Sequence, residues 1–432
     1  MDTTASQARE AGRPDWSRRA VAVLAALFIA VAGCDDEALM PPEPAAGDLF
    51  ARYAAIGNSI TAGFQSGGIN DSTQMESYAV LLAEGMGTEF NVPLLNSPGC
   101  PPPLTSVFTG EVVGGPTAPP CSFRQRPIPP ILNNASVPGA ALADVLSYQD
   151  PAANPNELST VLLGGRTQME SVREVEPTFV SAWIGNNEIL GAALQGDASL
   201  ATDPETFASR YQAIVEDLEG LDAEGGVLVG VASVQLIPHL SPGAAYFQLH
   251  QDGTLSAAVA ALFGPEAQQA FDANFDVADT CAPEAAGGVG ESTLVPFGYG
   301  FELVQQAIQG VPATLDCAAD ASVLSGQEIA QMAEFIQAYN ATIQSAADEL
   351  GWAYYDPNPA FAQAQSEGNI PLFPDPQASG SPFGPCFSQD GFHPSGAAHA
   401  AVARQLAEAI DAEYGTDITV DAPGASACLG GS

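Results

Sequence analysis

The chain has 432 residues, of which 51 are acidic and 11 basic, for a formal net charge of −40. An excess of that sign repels a phosphate backbone and an anionic lipid surface alike, so nucleic acid is excluded as a partner and any membrane attachment cannot rest on charge. With 46% hydrophobic residues the chain can bury a large core, and it is longer than the usual single domain. Every basic residue is arginine. This suits either a salt-rich habitat or a biased genome, because net charge bears on solubility and not on fold.

The N-terminus carries Arg18-Arg19, an uncharged apolar run from Ala20 to Ala32, then Val31-Ala32-Gly33-Cys34 followed by Asp35-Asp36-Glu37. A basic flank, an apolar stretch short for a membrane span and small residues at the cut site are what export and processing require. The run resembles bacterial lipobox sequences, which implies a lipoprotein signal peptide over 1–33, a diacylated Cys34 and a Pro-, Ala- and acid-rich tether over 34–47. The expected location is the cell envelope, lipid-anchored and facing the periplasm or the exterior. Residues 1–33 hold three acids and four arginines, so the remainder keeps 48 acidic and 7 basic side chains. Setting Cys34 aside leaves six of the seven cysteines, which suits three disulfides in an oxidising compartment. Sequence order suggests Cys100 with Cys121, Cys281 with Cys317 and Cys386 with Cys428, one of fifteen possible connectivities. The lack of any Cys-x-x-Cys pair and a total of four histidines argue against zinc.

Short apolar runs alternating with helical stretches predict an α/β sheet. Strands are expected at Arg52–Gly57, Glu89–Leu95, Thr178–Gly185, Val227–Val234 and Ala353–Asp356. The run Val227 to Ala232 is apolar throughout, as a central parallel strand covered on both faces requires. Phe207, Tyr211, Ile214, Val215 and Leu218 recur at helical spacing within Glu205–Leu221. Ile329, Met332, Phe335, Ile336, Tyr339 and Ile343 do so within Gln327–Leu350, and both stripes are core faces. Residues 48–238 and 326–432 are expected to form the two parts of one catalytic core. Residues 239–325, rich in Ala, Gly and Pro with aromatics at 246, 247, 297, 299 and 301, form an inserted cap near the crevice at the carboxyl ends of the strands. Residues 98–130 make a Pro-rich excursion.

Asp390-Gly391-Phe392-His393 and the distant Ile56-Gly57-Asn58-Ser59 carry the chemistry. A serine hydroxyl attacks a carbonyl only when an imidazole takes its proton, and the imidazole needs a group that fixes its tautomer. Asp390 and His393, three residues apart in a loop opening a helix, supply both functions. Ser59 follows an apolar strand and a glycine, so it falls at a strand's carboxyl end. Asn133-Asn134-Ala135-Ser136-Val137-Pro138-Gly139 ends in a glycine whose N–H can approach a ligand closely. Trp183-Ile184-Gly185-Asn186-Asn187-Glu188 closes the third strand with an amide able to donate to an oxyanion.

Together these blocks resemble the SGNH, or GDSL, hydrolase family, in that family's order along the chain. The resemblance implies a three-layer α/β/α fold with a five-stranded parallel, flavodoxin-like sheet, and hydrolysis of carboxylic esters through an acyl-enzyme without cofactor. It implies Ser59 as nucleophile, Asp390 and His393 as its partners, and the groups of Ser59, Gly139 and Asn187 as the oxyanion hole. Two positions depart from the family pattern: Asn58 and Glu188 stand where aspartates are usual, which bears on substrate positioning. His399, six residues along the closing helix, points away from His393 and reads as a packing or surface residue. His239 and His250 fall in the cap. Residues 272–279 superficially resemble a calcium loop, but Val277 stands where the tight turn needs glycine. The reading is an exported, lipid-anchored serine esterase. Its rivals are a carbohydrate esterase, favoured by an acidic crevice with exposed aromatics, and a surface lipoprotein that binds without turnover.

Overall fold

A computed structural model describes residues 47–147 and 157–429. Cys34, the expected signal peptide and nearly all of the expected tether lie outside the described residues. Four strands form the central sheet: β1 (Tyr53–Gly57), β2 (Phe179–Trp183), β3 (Gly225–Val229) and β4 (Ala353–Tyr355), adjacent in that order and all parallel. β1, β2 and β3 are buried along their whole length, the consequence of helices covering both faces.

The pleat sends alternate side chains to opposite layers. Ala54 and Ile56 of β1 join Val180, Ala182 and Leu228 in one core with α1 (Gln168–Val175), α2 (Pro204–Glu219) and α3 (Gly326–Leu350). Tyr53, Ala55, Phe179, Val227 and Val229 face the other layer, with Tyr78–Met86 and the long helix α4 (Gly396–Tyr414). All five stripe residues of α2 are buried, and so are Met332, Ile336, Tyr339 and Ile343 of α3, which identifies both helices as packing elements.

The expected fifth strand at Glu89–Leu95 does not form. That stretch contributes only a bridge between Leu95 and Arg124, and Pro93 within it has no N–H to give to a ladder. The open edge of β1 is taken instead by residues 133–137. Ala55 N–H donates to Asn133 O at 2.8 Å, Ala135 N–H to Ala55 O at 2.9 Å and Val137 N–H to Gly57 O at 3.2 Å.

Three disulfides join Cys100 to Cys121, Cys281 to Cys317 and Cys386 to Cys428. The first clasps the Pro-rich excursion and the second lies within residues 239–325. That inserted stretch holds four α-helices, among them Gly243–Gln251, Thr254–Phe263 and Phe297–Ile308, around its own apolar cluster centred on Tyr246, Val259, Phe271 and Leu303. Residues 272–279 close the helix Pro265–Asn274 and continue as strand Phe275–Val277. Among the described residues no helix is long and apolar enough to cross a membrane, and no group of three or more His, Cys, Asp or Glu could hold a metal ion.

Candidate active site

Ser59 is the first residue of a short helix, Ser59–Ala62, that leaves the carboxyl end of β1, and it is 6% exposed. Asn58 caps that helix by accepting the Ile60 N–H at 3.1 Å, which is a role an asparagine fills as well as an aspartate. The strand end beneath it is held from the side by Gln168. Its amide both accepts the Gly57 N–H and donates to Gly57 O, each at 2.9 Å. Nothing in the local sequence marks Gln168 for this task, since its partner lies 111 residues away.

Asp390 and His393 meet directly, with Asp390 Oδ2 2.8 Å from His393 Nδ1, and both are about 5% exposed. Asp390 Oδ2 also accepts the Gly67 N–H at 2.6 Å, while Oδ1 accepts the N–H groups of His393 at 2.9 Å and Phe392 at 3.1 Å. Burial pushes this carboxyl up, but the charge on His393, the hydrogen bond to its ring and the backbone donors outweigh it and bring the pKa down to about 2. Asp390 is therefore an anion at any ordinary pH. Holding Nδ1–H, it leaves Nε2 as the ring's acceptor. Gly391 between them sits at φ +76°, and a Cβ there would come within 2.7 Å of the Phe383 ring, so the loop demands glycine.

The turn that follows the serine helix carries this loop. Ser66 N–H donates to Ser388 Oγ at 2.7 Å, Gln389 N–H to Ser66 Oγ at 3.2 Å, and the Phe64 ring lies 4.9 Å from that of His393. Phe64 N–H in turn donates to Ser59 O at 2.9 Å. The contacts to Ser388, Gln389 and His393 span more than 320 residues of sequence, and only the Ser66-Gly67-Gly68 turn hints at them. Ser59 Oγ makes no hydrogen bond among the described residues. In a ligand-free site the bond to the base commonly tightens only when substrate arrives.

The two other expected oxyanion donors are drawn together. Gly139 is at φ +80°, and its successor Ala140 accepts a 2.8 Å hydrogen bond from Asn187 Nδ2 through its carbonyl oxygen. Asn187 opens the helix Asn187–Gln195, and the next residue, Glu188, accepts the Leu142 N–H at 3.0 Å. Two bonds, from adjacent residues 187 and 188 to residues 140 and 142, thus clamp the glycine turn to the asparagine. Ile60, Asn186, Phe392 and Pro394 line one pocket of about 40 Å³ at the strand ends. Each is the chain neighbour of Ser59, Asn187 or His393.

The remaining histidines fall into place. His399 is buried, its Nδ1 accepts the Tyr78 N–H at 3.3 Å, and burial, with a smaller push from His393, lowers it to about 3, so it packs as a neutral ring. His239 Nδ1 lies 2.7 Å from Asp390 O, and its own N–H donates to Gly391 O at 3.0 Å, so it supports the Asp-His loop from the inserted stretch. His250 lies 3.4 Å from Asp276.

Glu188 carries a second consequence of burial. Its Oε2 is buried without a partner, and Arg210 Nη1 is 3.9 Å from Oε1. Burial raises the carboxyl to about 7 against the lowering effects of Leu142 N–H and Arg210. An acid raised in the folded state contributes stability that is complete below its ordinary value of 4.5 and is lost as pH rises through about 7. Glu188→Gln keeps an acceptor for Leu142 without the charge. It should gain on the order of 3 kcal/mol relative to wild type between pH 4.5 and pH 8. Thermal melting of both proteins across that range checks this, and parallel curves would refute it.

A strand-end serine followed by a turn that carries a preformed Asp-His pair fits one class, the serine ester hydrolases. The profile of the family described as GDSL-like Lipase/Acylhydrolase matches residues 53–406, and the chain belongs to that family. No curated protein matches the chain. Among solved structures, the acetylxylan esterase Axe2 of Geobacillus stearothermophilus is 12% identical, with 88% of this chain and 100% of that one covered, at a TM-score of 0.36. The α/β hydrolase enzyme LAE5 from the metagenome of Lake Arreo, Spain, is 13% identical over 84% of this chain and 98% of that one, at a TM-score of 0.36. Likeness this distant says nothing about the substrate of this chain.

Proposed function

We propose that this chain is an exported, lipid-anchored esterase in which Ser59 is the nucleophile. His393 Nε2 takes the Ser59 proton as Oγ attacks the ester carbonyl. Asp390 holds Nδ1–H and stabilises the imidazolium. The oxyanion is received by the N–H groups of Ser59 and Gly139 and by Asn187, whose Nδ2 has a second hydrogen beyond the one given to Ala140. Collapse of the tetrahedral adduct breaks the C–O bond to the alcohol, which leaves with the proton from His393. Water then attacks the acyl-enzyme, gives its proton to the same imidazole, and releases the acid and free Ser59.

The observation that carries this reading is the buried Asp390–His393 pair, with both carboxylate oxygens of Asp390 hydrogen-bonded, resting on the turn that follows Ser59. We read residues 133–137 along the edge of β1 as the remnant of the fifth strand in a flavodoxin-like order. A fluorophosphonate should add one equivalent of label, and peptide mapping should find it on Ser59. Label on another serine would overturn the assignment.

The anchor rests on the Gly33-Cys34 boundary and on cysteine parity, since the other six cysteines are all disulfide-bonded. The full chain expressed in a bacterium should sediment with membranes, and Cys34→Ser should shift most of it to the soluble fraction. Equal partitioning of the two would remove the anchor from the proposal.

A further inference from the structure

Within the inserted stretch lies a chamber of about 390 Å³ that the ester chemistry does not explain. Its walls come from helices Gly243–Gln251, Thr254–Phe263 and Phe297–Ile308, closed by Phe108 of the Pro-rich excursion and by residues 373–377. Leu255, Val259, Leu262, Phe301 and Val304 make the lining overwhelmingly aliphatic and aromatic. Asp375 is its only acidic member, so the chamber offers a glycan few of the hydrogen-bonding groups that orient sugar hydroxyls.

Two chains of packed residues lead from this chamber to the Asp390–His393 loop. Phe297 lines it, and the Phe297 ring is 5.7 Å from that of His239. His239 stands 5.4 Å from Phe392, whose own ring is 4.5 Å from His393. On the other side Phe108 packs 5.9 Å from Phe297, and the N–H of its neighbour Val107 donates to Gln389 Oε1 at 3.4 Å, one residue before Asp390. The chamber's wall residues Phe297 and Phe108 are therefore packed, through His239 and Val107, against the loop that carries the proposed base.

We infer that the chamber receives a linear hydrocarbon chain of the ester substrate. The inference rests on the serine-hydrolase reading and deepens it by naming the substrate class. A cavity of about 150 Å³ admits benzene, so by that ratio this chamber accommodates on the order of ten to fifteen carbons. Transfer of each methylene from water into such walls strengthens binding by up to about fourfold. The chain could be the acyl part of the ester or its alcohol part, and both present the same surface to these residues.

The test uses the full-length protein and two ester series, p-nitrophenyl esters from acetate to laurate and alkyl acetates from methyl to decyl. In one of them kcat/KM should climb about two- to fourfold per methylene until the chamber is full, and the series that climbs identifies the part of the ester that enters. Ala258→Trp, which fills the chamber, should lower the ratio of long- to short-chain kcat/KM at least tenfold. Calorimetric titration of decanoic acid into Ser59→Ala reads the chamber without turnover, and adding Ala258→Trp should abolish that binding. Should Ala258→Trp fail to fold, Val304→Phe tests the same volume. Flat profiles in both series with no decanoic acid binding would overturn the chamber inference and leave the Ser59 reading standing. Decanoic acid binding without turnover of any ester would support the chamber and overturn the Ser59 reading.

Discussion

Ser59→Ala is expected to lower kcat for an aryl acetate by at least about three orders of magnitude, because the substitution removes the oxygen proposed to attack the ester. The side chain is 6% exposed, and its Oγ makes no hydrogen bond among the described residues, so its removal opens little space and leaves no partner unsatisfied. The melting temperature should therefore stay within a degree or two of wild type. Steady-state kinetics with active-site titration, alongside calorimetry, measure both. Full activity in the variant would end the assignment, and loss of activity together with folding would say nothing for a nucleophile.

Asp390→Asn should cost about four orders of magnitude in kcat, since an amide can donate to Nδ1 and so favours the wrong imidazole tautomer. It should also destabilise the protein, because Asp390 accepts four N–H donors within 3.1 Å in a buried loop. The pH dependence has a definite sign. A carboxyl lowered in the folded state from 3.8 to about 2 adds stability that is present above 3.8 and is lost as pH falls toward 2. The stability gap between wild type and Asp390→Asn should accordingly be full at pH 6 and shrink steadily below pH 4. A gap that stays constant through the acid range would show that Asp390 acts by packing and not by charge.

Much of the scaffold was legible because each strand and helix announces its own period. The α2 stripe at Phe207, Tyr211, Ile214, Val215 and Leu218 needs only local spacing to be recognised, and the apolar Val227 run marks an interior strand for the same reason. The Glu89–Leu95 expectation failed because strand pairing is not local. Its apolar residues fit a strand, but residues 133–137 took the edge of β1 that it would have needed. In the site, Asp390 and His393 could be paired from their three-residue spacing alone. The supports contributed by Ser66, Gly67, Gln168 and His239 could not, since each bonds across more than 100 residues through groups that ordinary turns also contain. Glu188 was visible as a departure from the family pattern. Its burial, which decides its behaviour, depends on helices that meet only in three dimensions.

Residues 239–325 possess their own apolar cluster and their own covalent clasp, Cys281 to Cys317, while the groups proposed for bond cleavage all sit elsewhere. On the chamber reading, such an arrangement separates most of what is chosen from what is cut: apart from His239 and its neighbour Phe297, which touch the Asp390–His393 loop or its support, the segment can be remodelled toward new esters without altering the groups proposed for the chemistry.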